Sequence, residues 1–101
     1  MQDATYLILL SLADQPRHGY GILQEVAELS GHATQLGAGT LYGALERLAA
    51  LGHVELDHET VERGRPRRYY RLTQDGRAIL VTETDRRAAM VRAAKRRLVR
   101  A

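Results

Sequence analysis

Arginine is concentrated in one short stretch of the chain, RGRPRRYYRL, which covers residues 63–72. The planar guanidinium fork of arginine fits phosphate oxygens and guanine edges, so this stretch could bind a nucleic acid. It could be a disordered arm for the minor groove of DNA, the tip of a folded hairpin, or a solvated turn. The neighbouring sequence has to distinguish these three.

A second candidate segment, GAGTLYGALERL, covers residues 37–48. As a helix it would place its leucines on one face and mostly small side chains on the opposite face. That outward face consists of Gly39, Gly43, Glu46, Arg47 and Ala50. Glycine inside a helix costs about 1 kcal/mol relative to alanine, which a close approach of DNA to Gly43 would justify. Neutral drift to a glycine that the helix tolerates would explain Gly43 equally well.

Polar groups at the start of this segment could contact a nucleic acid. The missing side chain of Gly39 exposes backbone N–H groups at the positive end of the helix to a phosphate, with a plain glycine-rich turn and N-cap as the alternative. The hydroxyls of Thr40 and Tyr42 can reach phosphates or base edges, although a tyrosine at helical spacing is more often packed. Arg47 follows one turn later, in a half of the chain with few basic residues, and could instead pair on a solvated face.

Residues for enzymatic chemistry form no recognisable motif. The chain has no cysteine, which excludes disulfides, thiolate metal sites and cysteine catalysis. It has no nucleophile elbow and no phosphate-binding loop. His53, Glu55 and Asp57 alternate along a predicted strand and could touch a metal, but any wet strand face produces such a set. His18 is more typical of a turn or a cap than of a general base. We therefore expect no catalytic residue, no metal and no cofactor.

The composition fits one small domain. The chain has 101 residues, of which 45% are hydrophobic, so its core is marginal without a partner chain. No segment is long enough to span a bilayer, and the apolar run at residues 6–13 lacks the basic region and cleavage site of a signal peptide. The sequence therefore predicts a cytoplasmic protein with no membrane contact.

Charge is divided unevenly along the chain. Residues 1–62 carry two basic and nine acidic side chains, whereas residues 63–101 carry thirteen basic and three acidic ones. Such asymmetry favours a polyanionic partner, with a basic surface that only keeps the protein soluble as the alternative.

Hydrophobic periodicity predicts four helices. They are residues 4–13, residues 20–30, a third helix bounded by Gly39 or Thr40 and by Gly52, and a last helix from the capping residue Thr73 to about Arg100. Between the third and last helices the period changes to two, which predicts a hairpin. Its strands lie around Val54 and over residues 67–72, with a loop from Glu59 to Pro66. In the second strand Tyr70 and Leu72 should face inward.

Two predicted helices carry more apolar surface than one small core can cover. The first is apolar almost all round, and we expect Tyr6 and Leu10 to contribute to a dimer interface. The last helix carries a broken apolar seam, formed by Leu80, Val91, Ala94 and Leu98 together with Thr84 and Arg87. The basic residues beside that seam are expected to be solvated.

Three helices, a two-stranded wing and a terminal helix follow the winged helix-turn-helix order, in which the third helix enters the major groove. The chain also resembles the PadR family of bacterial transcriptional regulators over essentially its whole length. The matching segments are PRHGYGI at residues 16–22, GTLYGAL and RL at residues 39–45 and 47–48, and GR, YYRLT and Gly76 between residues 64 and 76. Ala38 departs from the family, where serine or proline is frequent before GTLY.

The resemblance implies a DNA-binding domain over residues 1–73 and a dimerisation helix over residues 74–101. It also implies a homodimeric repressor and often a small effector that weakens DNA binding; the short last helix excludes a large effector domain. By the same analogy, Tyr20 contacts the DNA backbone.

The wing gives the arginine stretch a position, since RGRPRR lies between the two strands and becomes their tip. We expect Arg63 and Arg65 to reach the minor groove or its phosphates, while Arg67 and Tyr69 hold the backbone beside it. The competing interpretation is that these charges keep an exposed hairpin soluble.

The sequence therefore predicts a dimeric regulator that binds double-stranded DNA at a pseudo-palindromic operator, with half-sites about 10 bp apart. One alternative is a winged-helix module that binds a protein. Another is a sensor for a small aromatic or hydrophobic effector, bound beside Tyr6 between two subunits.

Overall fold

The computed structural model describes residues 1–99 and contains four helices and three strands within that range. The helices are α1 (Asp3–Ser11), α2 (Gly19–Leu29), α3 (Ala38–Ala50) and α4 (Gln74–Val99). The strands are β1 (Arg17–His18), β2 (Val54–Glu62) and β3 (Arg65–Leu72). This arrangement confirms the predicted winged helix-turn-helix fold, although the predicted end of the last helix at Arg100 lies outside the described residues.

The sheet has three strands, in the order β1-β3-β2, where two were predicted. The additional strand β1 pairs antiparallel with β3, with Arg17 opposite Tyr70 and His18 opposite Tyr69. Two residues are too few to show a period-two pattern, so the sequence could not reveal this strand.

The hairpin is longer than predicted, and the expected loop from Glu59 to Pro66 is wrong. The strands continue to Glu62 and from Arg65, and only Arg63 and Gly64 lie between them. Both turn residues have positive φ, 52° and 76°, as in the two-residue turns that match the twist of paired strands. The wing is therefore a long ribbon with arginine at its tip.

The core joins α1, α2 and α3 to the first residue of β2. Side chains with at most 2% exposure include Ile8, Leu9, Ile22, Val26, Leu41 and Val54. Each such aliphatic side chain contributes about 1.5–3 kcal/mol on burial. Tyr70 and Leu72 pack against this core, as predicted. Leu80 is 5% exposed and belongs to the same core, so little of the Leu80 side chain remains for a partner chain to cover.

The base of α4 is fixed to the turn that follows α3. The Thr73 hydroxyl caps α4 by accepting from the Gly76 N–H at 2.9 Å, and it donates to the Gly52 carbonyl. The Thr73 N–H also donates to the His53 carbonyl at 3.1 Å. A Cβ at residue 76 would overlap that carbonyl, so this position requires glycine.

The distal half of α4 extends away from the rest of the chain. Only Gly76 and Leu80 are buried along the 26 residues of this helix. Val91 and Leu98 lie on the same helical face as Leu80, yet they are 52% and 73% exposed. Among the described residues, no helix combines the length and the apolar character needed to cross a membrane.

Candidate nucleic-acid interface

A groove runs between α3 and the wing, and we call it the helix–wing groove. It consists of two adjoining cavities of about 440 and 540 Å³, which share Tyr42 and Arg68. The first is lined by His18, Gly19, Tyr20, Tyr42 and residues 65–68. The second is lined by Tyr42, Leu45, Glu46, Ala49, residues 54–56, Arg68 and Tyr70. The groove thus brings tyrosine hydroxyls and arginine side chains together between two projecting elements.

The N-terminus of α2 borders this groove. His18 caps the helix, because its Nδ1 accepts a hydrogen bond from the Gly21 N–H at 3.1 Å. The first-turn amides of a helix lack intrahelical partners and carry partial positive charge. Tyr20 follows in the first turn and is 57% exposed, while Tyr42 on α3 is 50% exposed. The groove therefore combines a helix N-terminus with two accessible hydroxyls.

The remaining α3 candidates lie away from the wing. Gly39, Thr40, Gly43 and Arg47 line a separate cavity of about 320 Å³ with the start of α1. A Cβ built on Gly39 or Gly43 would meet no atom within 4 Å, so packing within the chain requires neither glycine. Gly37 caps α3 without a side-chain hydrogen bond. The candidates on α3 thus divide between its two flanks, with Tyr42 beside the wing.

Ion pairs compensate most of the arginines of β3. Arg71 binds Glu55 at 2.7 Å, Arg68 binds Glu59 at 3.2 Å and Arg67 binds Glu62 at 3.3 Å. In residues 1–99, Arg63 and Arg65 have no such partner. The uncompensated positive charge of the wing therefore lies at its tip. Exposed ion pairs contribute only about 0–1 kcal/mol, so Arg67 and Arg68, which line the groove, can also exchange a carboxylate for a phosphate.

Tyr69 is held between two histidines on the outer face of the sheet. Its ring stacks on His58 at 4.4 Å and meets His18 edge-on at 5.1 Å. Its hydroxyl donates to a Glu62 carboxylate oxygen at 3.5 Å. Tyr69 does not line the helix–wing groove, in contrast to the neighbouring Arg67.

Burial and the Arg67 charge lower the pKa of His18 below its usual value, with burial as the larger cause. The nearby carboxylate of Glu62 opposes this shift. One Arg67 nitrogen lies 3.5 Å from His18 Nδ1, the same atom that caps α2. A neutral His18 therefore connects the wing to the first turn of α2.

Arg68 and His18 line the groove but were not among the predicted DNA-binding residues. Arg68 lies two residues before Tyr70, so the alternation that directs Tyr70 inward puts Arg68 on the same face of the strand. Because the ribbon extends beyond the core, the inner face becomes accessible towards the tip, and the Arg68 side chain is 60% exposed. Recognition of Arg63 and Gly64 as a two-residue turn would have shown this from the sequence.

The residues predicted for dimerisation are partly engaged within the chain. The Tyr6 hydroxyl is 2.8 Å from the Thr84 hydroxyl, and the Arg87 guanidinium lies 4.3 Å from the centre of the Tyr6 ring. Leu10 is half-buried against the core. Towards the end of α4, in contrast, Val91, Ala94 and Leu98 are exposed. Those three residues form an apolar face that the described part of this chain does not cover.

Comparison with known proteins gives one consistent family. The model of the family described as "Transcriptional regulator PadR-like family" matches residues 8–82. Transcriptional regulator Rv3488 of Mycobacterium tuberculosis is 47% identical over 81 residues, which cover 80% of this chain and 70% of that protein. An uncharacterized 37.1 kDa protein in transposon TN4556 of Streptomyces fradiae is 43% identical over 88 residues. That match covers 87% of this chain and 24% of the Streptomyces protein, so the chain spans about a quarter of that relative.

Solved structures share the fold. A PadR family transcription regulator from Clostridium difficile R20291 superposes with a TM-score of 0.80 and 24% identity, covering 96% of this chain and 99% of the other. Bacillus subtilis PadR in complex with operator DNA gives a TM-score of 0.72 and 23% identity, covering 82% of this chain and 47% of the other.

Proposed function

This chain belongs to the PadR-like family of transcriptional regulators, and we propose that it is a homodimeric repressor that binds a pseudo-palindromic operator. The observation that carries the proposal is the helix–wing groove. It joins the N-terminus of α2, two exposed tyrosine hydroxyls and three arginines on a surface without a catalytic constellation. Such a groove fits a sugar–phosphate backbone with α3 in the adjacent major groove.

One DNA strand would follow the first cavity of the helix–wing groove, whose lining contains no carboxylate. Tyr20 and Tyr42 would donate to phosphates from the helices, and Arg67 and Arg68 from the wing. The Tyr69 hydroxyl would reach the backbone from the outer face of the wing. At the tip, the unpaired Arg63 and Arg65 would enter the adjacent minor groove or bind its phosphates.

The other flank of α3 would face the opposite wall of the major groove. The backbone amide of Gly39, the Thr40 hydroxyl and Arg47 are the donors available on this side. The absence of a side chain at Gly43 would let α3 approach the bases closely, which gives this internal glycine a function.

Dimerisation would bring two α3 helices to the same side of the DNA. In this proposal residues 1–73 form the DNA-binding unit and residues 74–101 the dimerisation helix. Val91, Ala94 and Leu98 would pack against α4 and α1 of the partner, where Tyr6 and Leu10 provide apolar surface. Half-sites about one helical turn apart would then match the two-fold symmetry of the protein.

Repression would follow from occupancy, since a protein on the operator excludes other proteins from the same DNA. We include a small aromatic or hydrophobic effector in the proposal, bound between the subunits beside Tyr6. An effector that changes the distance between the two α3 helices would weaken the fit to both half-sites at once.

Fluorescence anisotropy with a labelled duplex from upstream of the gene tests this function. The protein is titrated at two salt concentrations in the presence of excess unlabelled nonspecific DNA. Competitor-resistant binding, with two chains per duplex, is the expected result. Binding that the competitor removes would contradict a specific regulator at this DNA and leave only general affinity for polyanions.

A further inference from the structure

A carboxylate lies at the centre of the outward face of α3. Glu46 is exposed, and three of its neighbours on that face, Gly39, Gly43 and Ala50, have no side chain larger than a methyl group, while Tyr42 and Arg47 flank it on either side. Within residues 1–99 the Glu46 carboxylate forms no hydrogen bond and no ion pair. Glu46 therefore lies between the flanking Tyr42 and Arg47, and no group of the described chain forms an ion pair with it.

The position of Glu46 is unusual for a surface that meets a polyanion, because every phosphate repels a carboxylate. Glu46 shares a cavity with Tyr42 and Arg68, two of the side chains assigned above to the DNA backbone. The side chains assigned to the backbone meet in the first cavity of the groove, which Glu46 does not line, so a backbone held there leaves Glu46 towards the base edges rather than the phosphates. A carboxylate in that position binds favourably only where a base edge donates a hydrogen bond to it.

In the major groove, only two groups donate to a carboxylate, the N4 amino group of cytosine and the N6 amino group of adenine. Guanine presents two acceptors and thymine presents an acceptor and a methyl group, so both disfavour Glu46. In adenine the acceptor N7 adjoins the amino group and repels the second carboxylate oxygen. Cytosine has no acceptor beside N4 on this edge and is the better partner.

We propose that Glu46 determines operator specificity by accepting a hydrogen bond from the N4 amino group of a cytosine in each half-site. This inference rests on the proposed DNA-binding function and adds a base-reading residue to it. The small neighbours of Glu46 serve the same contact, since they let α3 come near enough for a side chain of this length.

Binding selection from a duplex library with randomised half-sites tests the proposal, with the wild-type protein, Glu46→Gln and Glu46→Ala. The wild-type protein is expected to prefer cytosine at one position of each half-site by about tenfold or more. Glu46→Ala should make that position degenerate and leave the others unchanged. Glu46→Gln should move the preference towards adenine, whose N6 and N7 suit a carboxamide.

Glu28→Gln is the matched control, because it removes the same charge from an exposed position of α2. It should raise affinity for all duplexes to a similar degree and keep the cytosine preference. The inference is overturned if Glu46→Gln and Glu46→Ala select the same bases as the wild-type protein. If the wild-type protein selects no base at all, the proposed regulatory function fails as well, which separates the two failures.

Discussion

The Tyr42 hydroxyl occupies the space next to Gly19 that a side chain would need. An ideal Cβ on Gly19 would lie 2.5 Å from the Tyr42 oxygen and 3.0 Å from the adjoining ring carbon. The missing side chain of Gly19 therefore leaves the space that the Tyr42 hydroxyl occupies beside the helix–wing groove. The family motif that contains Gly19 and the motif that contains Tyr42 meet at this contact.

Replacement of Gly19 by alanine should therefore change DNA binding more than folding. The Tyr42 ring would have to rotate away, and loss of its phosphate contact is expected to lower operator affinity by about fivefold to tenfold, on the order of 1 kcal/mol. Gly21→Ala is the control, since its Cβ would meet the nearest atom at an ordinary 3.7 Å. Equal anisotropy titrations for the two variants would argue against the role of Tyr42.

Gly43→Ala should raise the stability of the protein and lower its affinity for the operator. A new Cβ meets no atom of the described chain within 4 Å, so the variant gains helix propensity, about 1 kcal/mol in the free energy of unfolding. The same methyl group should obstruct the approach of α3 to DNA and lower operator affinity. Urea denaturation and anisotropy measure the two effects. A more stable protein with unchanged affinity would mean that the glycine is only tolerated.

Arg63 and Arg65 should dominate the salt dependence contributed by the wing. Each phosphate contact that is lost reduces the slope of log affinity against log salt concentration by about 0.9. We expect that reduction for Arg65→Ala and for Arg63→Asn, in which asparagine tolerates the positive φ of the turn. Arg71→Ala removes an arginine that is already paired with Glu55 and Asp57, and it should leave the slope nearly unchanged.

The stability of the fold should decrease as the pH falls below the usual histidine pKa. His18 has a lowered pKa in the folded protein, so the unfolded chain takes up its proton first. Its stabilising contribution is complete above about pH 6.5 and is lost as the pH falls through the lowered value. Protonation of Nδ1 would also remove the acceptor for the Gly21 N–H.

His18→Asn retains a capping acceptor and removes this titration. Denaturation of both proteins at pH 7.5 and 5.5 isolates the effect, because other groups contribute equally to each. The wild-type protein should lose more stability than the variant between the two pH values. A difference of the opposite sign would place the titration elsewhere.

The exposed apolar face of α4 predicts a dimer that one charge can disrupt. Leu98→Asp would place a carboxylate on the same helical face as Leu80 and Val91, and it should lower the dimer fraction in sedimentation velocity. Val99→Asp provides the control, because Val99 is 85% exposed but lies on a different side of the helix. Unchanged sedimentation of the Leu98 variant would contradict the proposed interface.

Helix positions were predictable because α2 and α3 have an apolar period, α1 is a continuous apolar run, and Gly52 and Thr73 mark where α3 stops and α4 starts. The Thr73 cap and the inward side of Tyr70 and Leu72 followed from residue type and alternation, and the structure confirms them. The wing was less predictable, because its turn has arginine where asparagine, aspartate or glycine usually marks positive φ. The pairing of β3 with β1 joins residues that are distant in the sequence, and no local pattern predicts it.

The candidate site was predictable in its residue types but not in its grouping. Alternation puts Arg68 on the same strand face as the inward Tyr70, and only the length of the ribbon makes it accessible. The strand register places Glu62 directly opposite Arg65, yet the Glu62 carboxylate pairs with Arg67, two residues further along the strand. The directions of the side chains therefore determine which arginines remain unpaired, and alternation along the sequence does not show them.

The rigid base of α4 makes the helix a lever. Thr73 and Gly76 fix its first turn to the turn that follows α3, and its 26 residues extend about 39 Å from that point. A shift of about 3 Å at the far end corresponds to a rotation of about 4° at the base, a ratio that follows from the helical rise. In the proposed dimer, a small rearrangement where the two α4 helices meet would therefore change the angle between the two DNA-binding units, by an amount that the length of α4 determines.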